Sequence, residues 1–156
     1  MAFDPQKVDA MLARYGSEKS ALIQLLQDIQ AEYRYLPREA LNYLGEKLNL
    51  PMSTIYHVAT FYKAFSLQPK GRHCVSVCMG TACHVRGAPM ILDTAAREIG
   101  IDADTTAKDG SFTLETVNCL GSCALGPLVV IDGEYHGRMN NAKIKKALAP
   151  LKKEGK

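Results

Sequence analysis

No stretch of the 156-residue chain is apolar for anything near the roughly 20 residues that a membrane-spanning helix needs, and the start, MAFDPQKVDAMLARYG, lacks a charged end followed by an apolar signal core. The expected setting is cytoplasmic, where thiols stay reduced. A dense basic face is also missing. Residues 1–70 carry eight Lys/Arg against seven Asp/Glu and residues 71–156 carry eleven against nine, for a net charge of +3. Nucleic acid is therefore not an expected partner. No glycine-rich dinucleotide fingerprint follows a strand, so the chain is not expected to hold a nucleotide substrate. No C-x-x-C stands at a helix start, which argues against a disulfide oxidoreductase. Internal repeats and low-complexity segments are absent too.

What remains is an ordinary globular mixture, 47% hydrophobic and 22% charged, in a chain long enough to bury a core without disulfide staples. Residues 1–70 read as a helical bundle. SALIQLLQDIQAEY repeats Leu22, Ile23, Leu25, Leu26 and Ile29 at helical spacing behind Ser20, a candidate N-cap. PREALNYLGEKLNL begins a second helix with Pro37 in its first turn. LPMSTIYHVATFYKAF begins a third, capped by Ser53, with Ile55, Val58, Ala59, Phe61, Tyr62 and Phe65 as its apolar stripe. Helix, short turn and capped helix also outline a helix-turn-helix at about residues 38–65, the basis of an alternative reading as an iron-sulfur, redox-sensing DNA-binding regulator. Lys63 is the one Lys or Arg of that recognition helix, and bundle core is the preferred reading of its stripe.

From Arg72 the texture changes. HCVSVC reads as a strand, HVRGAPMILDTAAREIG as a helix stopped by Gly100, and SFTLETV as a second strand. PLVVIDGEYHGRM reads as a hairpin turned at Asp132-Gly133, and NAKIKKALAPLKK as a closing amphipathic helix in a basic tail whose lysines form a solvated face. Strand, helix, strand, strand, strand, helix is the order of a thioredoxin-like α/β domain. The expected fold class is thus α+β, an N-terminal helical bundle (1–70) followed by that domain (71–156).

Four of the five cysteines fall in two short pairs, CMGTAC (Cys78 and Cys83) and CLGSC (Cys119 and Cys123), separated by 35 residues. Thiolates bind soft or borderline metals, and two loops brought together by the intervening helix and strand can close on one centre. Structural zinc is the main competitor, but its knuckles prefer C-x-x-C, and these wider loops suit the larger body of a 2Fe-2S cluster. Gly80 and Gly121 sit inside the loops, where unusual backbone angles and amides aimed at sulfur are expected. His84 is not expected as a ligand; His84 and Arg86 are candidates to supply charge or hydrogen bonds to the centre, with a solvated or partner-facing role preferred. His57, His73 and His136 are scattered and receive no role. Cys74 lies four residues before Cys78, about 13 Å along a strand at roughly 3.3 Å per residue, and reads as a packed thiol outside the centre.

These residues resemble a family. YLPREAL and VATFYKAF in the helical part, VCMGTACHVRGA at the first pair and FTLETVNCLGSCALGP at the second are similar to the small thioredoxin-like 2Fe-2S ferredoxin subunit of respiratory complex I and of related NAD-dependent hydrogenases and formate dehydrogenases. The resemblance covers nearly the whole chain. It implies that Cys78 and Cys83 bind one iron and Cys119 and Cys123 the other. It also implies an electron carrier without its own substrate site, docked on a larger flavoprotein subunit that holds FMN, binds NAD(H) and has further iron-sulfur clusters. Other iron-sulfur subunits would complete such an oxidoreductase complex, which includes electron-bifurcating forms. The family often has Ala-Pro after the second pair, where this chain has Gly126-Pro127.

Overall fold

The computed structural model describes residues 3–152, so Lys153, Glu154, Gly155 and Lys156 of the basic tail lie outside the described residues. The chain divides into two compact units, Met1–Pro69 and Lys70–Lys156.

The first unit holds α1 (Pro5–Arg14), α2 (Leu22–Tyr33), α3 (Arg38–Leu48) and α4 (Met52–Phe61). Helix α1 lies within the expected bundle but was not singled out from the sequence. Asp4 caps it by accepting from the Gln6 amide at 3.0 Å, Pro5 occupies its first turn, and Val8, Met11 and Leu12 supply a buried stripe at helical spacing. The core is built from Leu25, Leu26 and Ile29 of α2, Leu41 and Leu44 of α3, and Ile55 of α4, each essentially free of solvent contact.

Both expected serine caps move. Ser20 sits in a 3₁₀ turn, Lys19–Ala21, with its hydroxyl donating to Glu18 at 3.0 Å, and α2 starts behind Ala21 with no side-chain cap. Helix α4 starts behind Pro51, whose fixed φ suits that position, so Ser53 is already inside the first turn. The stripe of α4 is also shorter than expected. Ile55 and Ala59 are buried, but the chain turns extended at Tyr62 (φ −89°, ψ 118°), leaving Phe61 71% and Tyr62 41% exposed. The helical spacing of apolar residues runs on past the point where the helix stops.

The second unit holds β1 (His73–Cys78), α5 (Thr81–Val85), α6 (Ala88–Ile99), β2 (Thr105–Thr106), β3 (Phe112–Val117), β4 (Val129–Ile131), β5 (Glu134–His136) and α7 (Asn141–Leu151). The sheet order is β2-β3-β1-β4-β5; β1 and β3 are parallel and the remaining neighbours antiparallel. Two differences from expectation stand out. The helix expected over residues 84–100 is two helices, broken at Gly87, whose φ is +100°. The polar segment before β3 contains β2, two threonines that pair with Leu114 and Thr113. The hairpin does turn at Asp132 and Gly133, both at positive φ. Asn140 caps α7 by accepting from the Lys143 amide at 2.9 Å.

Strand alternation sets the two faces of the sheet. Val75, Val77, Leu114, Val129 and Ile131 bury against Ile91 and Ala95 of α6 and Ile144 and Leu148 of α7. Cys74 and Ser76 of β1 and Thr113 and Glu115 of β3 alternate to the other face. There Glu115 accepts from the Ser76 hydroxyl at 2.7 Å and from Lys70 Nζ at 2.9 Å. Burial pushes this carboxyl up, but the bonds from Ser76 and Lys70 and the Lys70 charge outweigh it, so Glu115 ionises below its ordinary value of 4.5. A depressed carboxyl stabilises the fold above 4.5, and that contribution is lost as pH falls through the lower folded value. A Glu115→Gln chain is therefore expected to be less stable than wild type at pH 7 in urea, with the gap closing under acid. A gap that is constant with pH would count against this account.

The register of β1 and β3 positions the cysteines. Cys78 pairs with Val117, the last residue of β3, so both parallel strands end side by side and their following loops leave from the same edge of the sheet. In open sheets with parallel strands, that edge is where binding sites are built.

Candidate metal centre

Cys78 closes β1, and Cys83 lies within α5, which begins two residues after the Met79 amide bonds the Val117 carbonyl at 2.8 Å. Cys119 follows the end of β3, and Cys123 opens a 3₁₀ turn, Cys123–Leu125. Cys78 and Cys83 are buried, Cys119 and Cys123 are exposed, and none is in a disulfide. The structure brings Cys78 and Cys83 within hydrogen-bond reach of one another, and Cys123 is near enough to Cys83 to act on its charge. Cys119 approaches from the second loop: a Cβ built on Gly80 would stand 3.5 Å from its Cα and Cβ. Among the described residues no three His, Cys, Asp or Glu side chains close on a point as ligands of a single metal ion would. The first loop supplies Cys78 and Cys83 as a bonded pair, and the second loop brings Cys119 beside Gly80 and Cys123 toward Cys83.

Backbone amides are directed at the sulfurs. The amides of Gly80 and Leu120 act on Cys78 and that of Leu128 on Cys83, each favouring the thiolate, and the Gly121 amide donates to Cys119 Sγ at 3.3 Å. Burial pushes the Cys78 thiol up, yet the Gly80 and Leu120 amides and the Cys83 thiol more than offset it, holding Cys78 below its ordinary range. For Cys83, burial and the bond its thiol donates to Cys78 prevail, and its thiol is raised. One thiol of the pair therefore ionises before the other. A soft anionic donor set, free of disulfides and supplied with amide donors, fits a thiolate-bound iron-sulfur group.

The two loop glycines serve different ends. Gly121 has φ +76°, the unusual angle expected of it. Gly80 has φ −58°, open to any residue, and is needed instead for a close approach: its Cβ would stand 2.7 Å from the Asn118 carbonyl oxygen. That contact joins residues remote in sequence, and no local pattern announces it.

Arg86 is the residue that reading the sequence undervalued. Its Nη1 donates to the Cys123 carbonyl at 2.8 Å and to the Gly126 carbonyl at 3.4 Å, so it is bound across to the second loop. Gly126 precedes Pro127 through a cis bond, and a Cβ on it would stand 3.1 Å from Cys83 Sγ. His84 is exposed. Cys74 is half-buried on β1 opposite Thr113, and burial and the nearby Glu115 hold its thiol up. His73 Nδ1 lies 2.7 Å from Asp132 Oδ2, at the turn of the β4–β5 hairpin.

Comparison with known proteins places this geometry. The chain is 35% identical over 128 residues to the NADP-reducing hydrogenase subunit HndA of Solidesulfovibrio fructosivorans, covering 82% of this chain and 75% of that protein. It is 32% identical over 139 residues to an NADH-quinone oxidoreductase subunit of Rhizobium meliloti (strain 1021), covering 89% and 83% respectively. Both relatives are subunits of larger assemblies by name, so further subunits are expected beside this chain. The crystal structure of an NAD+-reducing [NiFe]-hydrogenase in the air-oxidized state shares the fold, with a TM-score of 0.73 at 20% identity over 86% of this chain and 23% of the hydrogenase chain. Residues 8–152 match the family model for the thioredoxin-like [2Fe-2S] ferredoxin, and the chain belongs to that family.

Proposed function

We propose that Cys78 and Cys83 hold one iron and Cys119 and Cys123 the other iron of a single 2Fe-2S cluster. In this reading the chain exchanges single electrons with the FMN of a larger, NAD(H)-binding flavoprotein subunit, within a complex that contains further iron-sulfur subunits. The observation that carries it is the pair of cysteine loops leaving side by side from the ends of β1 and β3, with amides turned toward sulfur. The names of the relatives, NADP-reducing hydrogenase and NADH-quinone oxidoreductase subunits, support the choice of partner.

When bound, such a cluster accepts and returns one electron at a time. The chain's own contribution is electrostatic and steric. Amides of Gly80, Leu120, Gly121 and Leu128 stabilise negative charge on sulfur, and burial of Cys78 and Cys83 keeps water from the inner side. Exposure of Cys119 and Cys123 leaves the outer side open to a docked partner. No helix among the described residues is long and apolar enough to cross a membrane, and the free cysteines suit a reducing, cytoplasmic setting. The DNA-binding alternative loses ground in the structure: α4 ends at Phe61, before Lys63, and so carries no Lys or Arg, and its Ile55 is spent in the bundle core.

Anaerobic purification or reconstitution with iron and sulfide is expected to give about two irons and two sulfides per chain, as a 2Fe-2S centre requires. The coloured centre should be bleached by the NADH-reduced flavoprotein subunit. A colourless chain holding one zinc would overturn the cluster assignment; a loaded chain that the reduced flavoprotein cannot bleach would overturn the partner.

A further inference from the structure

We propose that Arg86 is a positioning residue whose positive charge, clamped onto the second cysteine loop, raises the reduction potential of the centre. The inference rests on the cluster reading above and concerns a residue outside the ligand set.

Three observations carry it. First, Arg86 is fixed. It ends α5, and the guanidinium reaches across 37 residues to bond the Cys123 carbonyl at 2.8 Å, with the Gly126 carbonyl at 3.4 Å as a second acceptor. A surface arginine usually samples many rotamers; one bonded to two backbone oxygens keeps its charge in place. Second, the charge lies beside the sulfurs. The point where a Cβ on Gly126 would stand is 3.1 Å from Cys83 Sγ and 3.5 Å from Arg86 Nη1, so thiol and guanidinium flank one narrow gap that glycine leaves open. Third, the charge is not spent elsewhere: among the described residues Arg86 forms no ion pair, and both of its acceptors are neutral carbonyls.

A fixed cation at this range favours whichever state of the centre is more negative, which is the reduced one. Arg86 would therefore pull the potential upward. Amides near the sulfurs act in the same direction, but they are neutral, and Arg86 adds a full charge.

The test compares wild type with Arg86→Gln, Arg86→Met and Arg86→Lys in the full chain, each loaded with its cluster and titrated for midpoint potential, with loaded iron counted in parallel. Wild type is expected to hold the 2Fe-2S centre. The two neutral variants are expected to make one-electron reduction about tenfold less favourable, a shift of about 59 mV to lower potential. Should all three variants load too little iron to titrate, Arg86 would be a clamp that holds the loop rather than a charge that sets the potential, and the proposal would be overturned. Arg86→Lys, which keeps the charge but not the fork, is expected to restore most of what the neutral variants lose. Neutral variants that match wild type in potential would overturn the proposal whatever their iron content, and so would a lysine variant whose potential falls with the neutral ones. A wild-type chain without the cluster would overturn the reading beneath it, and the inference with it.

Discussion

A Gly80→Ala chain is expected to fold and to lose most of its capacity for iron. The backbone at Gly80 (φ −58°, ψ 153°) would accept any residue, so strain in the dihedral angles is not the reason. Space is the reason. The added methyl would stand 2.7 Å from the carbonyl oxygen of Asn118, inside van der Waals contact, and the obstacle is backbone rather than the end of a flexible side chain. Either the loop of residues 79–80 lifts away or the segment from Asn118 to Cys119 does. Both movements separate the two cysteine pairs. The Gly80 carbonyl also accepts from the His84 amide at 2.8 Å in the first turn of α5, and the Gly80 amide serves Cys78, so a shift there moves Cys83 and strips a donor from Cys78 together. Overpacking of this kind costs about 1–3 kcal/mol, which the fold should survive. Iron and sulfide content should fall several-fold while far-ultraviolet circular dichroism stays near that of wild type. A variant that loads like wild type would mean that the loops have more play than this contact allows.

The ease with which the sequence could be read differs between features for physical reasons. The strands HCVSVC and SFTLETV and the Asp132-Gly133 turn follow local rules, namely alternation, valine content and a tight turn at positive φ, and local rules are visible in a linear text. The cysteine pairs were legible as pairs because thiols at short spacing have few other uses in a reducing setting. Features that depend on neighbours distant in sequence were not legible. Arg86 has the look of a solvated side chain until its acceptor, 37 residues onward, is known. Gly80 has the look of a turn glycine until Asn118 is placed against it. In α4 the apolar spacing of Phe61, Tyr62 and Phe65 persists beyond the helix, since edge-to-face ring contacts at 5.0 and 6.0 Å link these residues even though the helix ends at Phe61. The missed helix α1 is a different case. Asp4-Pro5 and the spacing of Val8, Met11 and Leu12 are start and stripe signals that the sequence does contain.

Serine at Cys83 or at Cys119 is expected to remove most of the bound iron, whereas alanine at Cys74 is expected to leave it unchanged. Loss of a partner in the outer shell of a metal site typically costs about 10–100-fold in affinity, and loss of a thiolate ligand itself should cost more. The two serine variants need not fail alike. Cys83 is buried and bonded to Cys78 and the Leu128 amide, so a serine there puts a harder, shorter donor into a space with no water to replace it. Cys119 is exposed and turned to the Gly121 amide, so its serine variant can retain some iron with a hydroxyl or water in place of sulfur. Iron counts ordered wild type, then Cys119→Ser, then Cys83→Ser would follow from that difference in burial. Cys74 stands apart by position. It pairs with Thr113 near the start of β1, four residues before Cys78 and at the opposite end of the strand from both cysteine loops. Full iron content in Cys83→Ser, or lost iron in Cys74→Ala, would mean that the ligand set has been drawn around the wrong sulfurs.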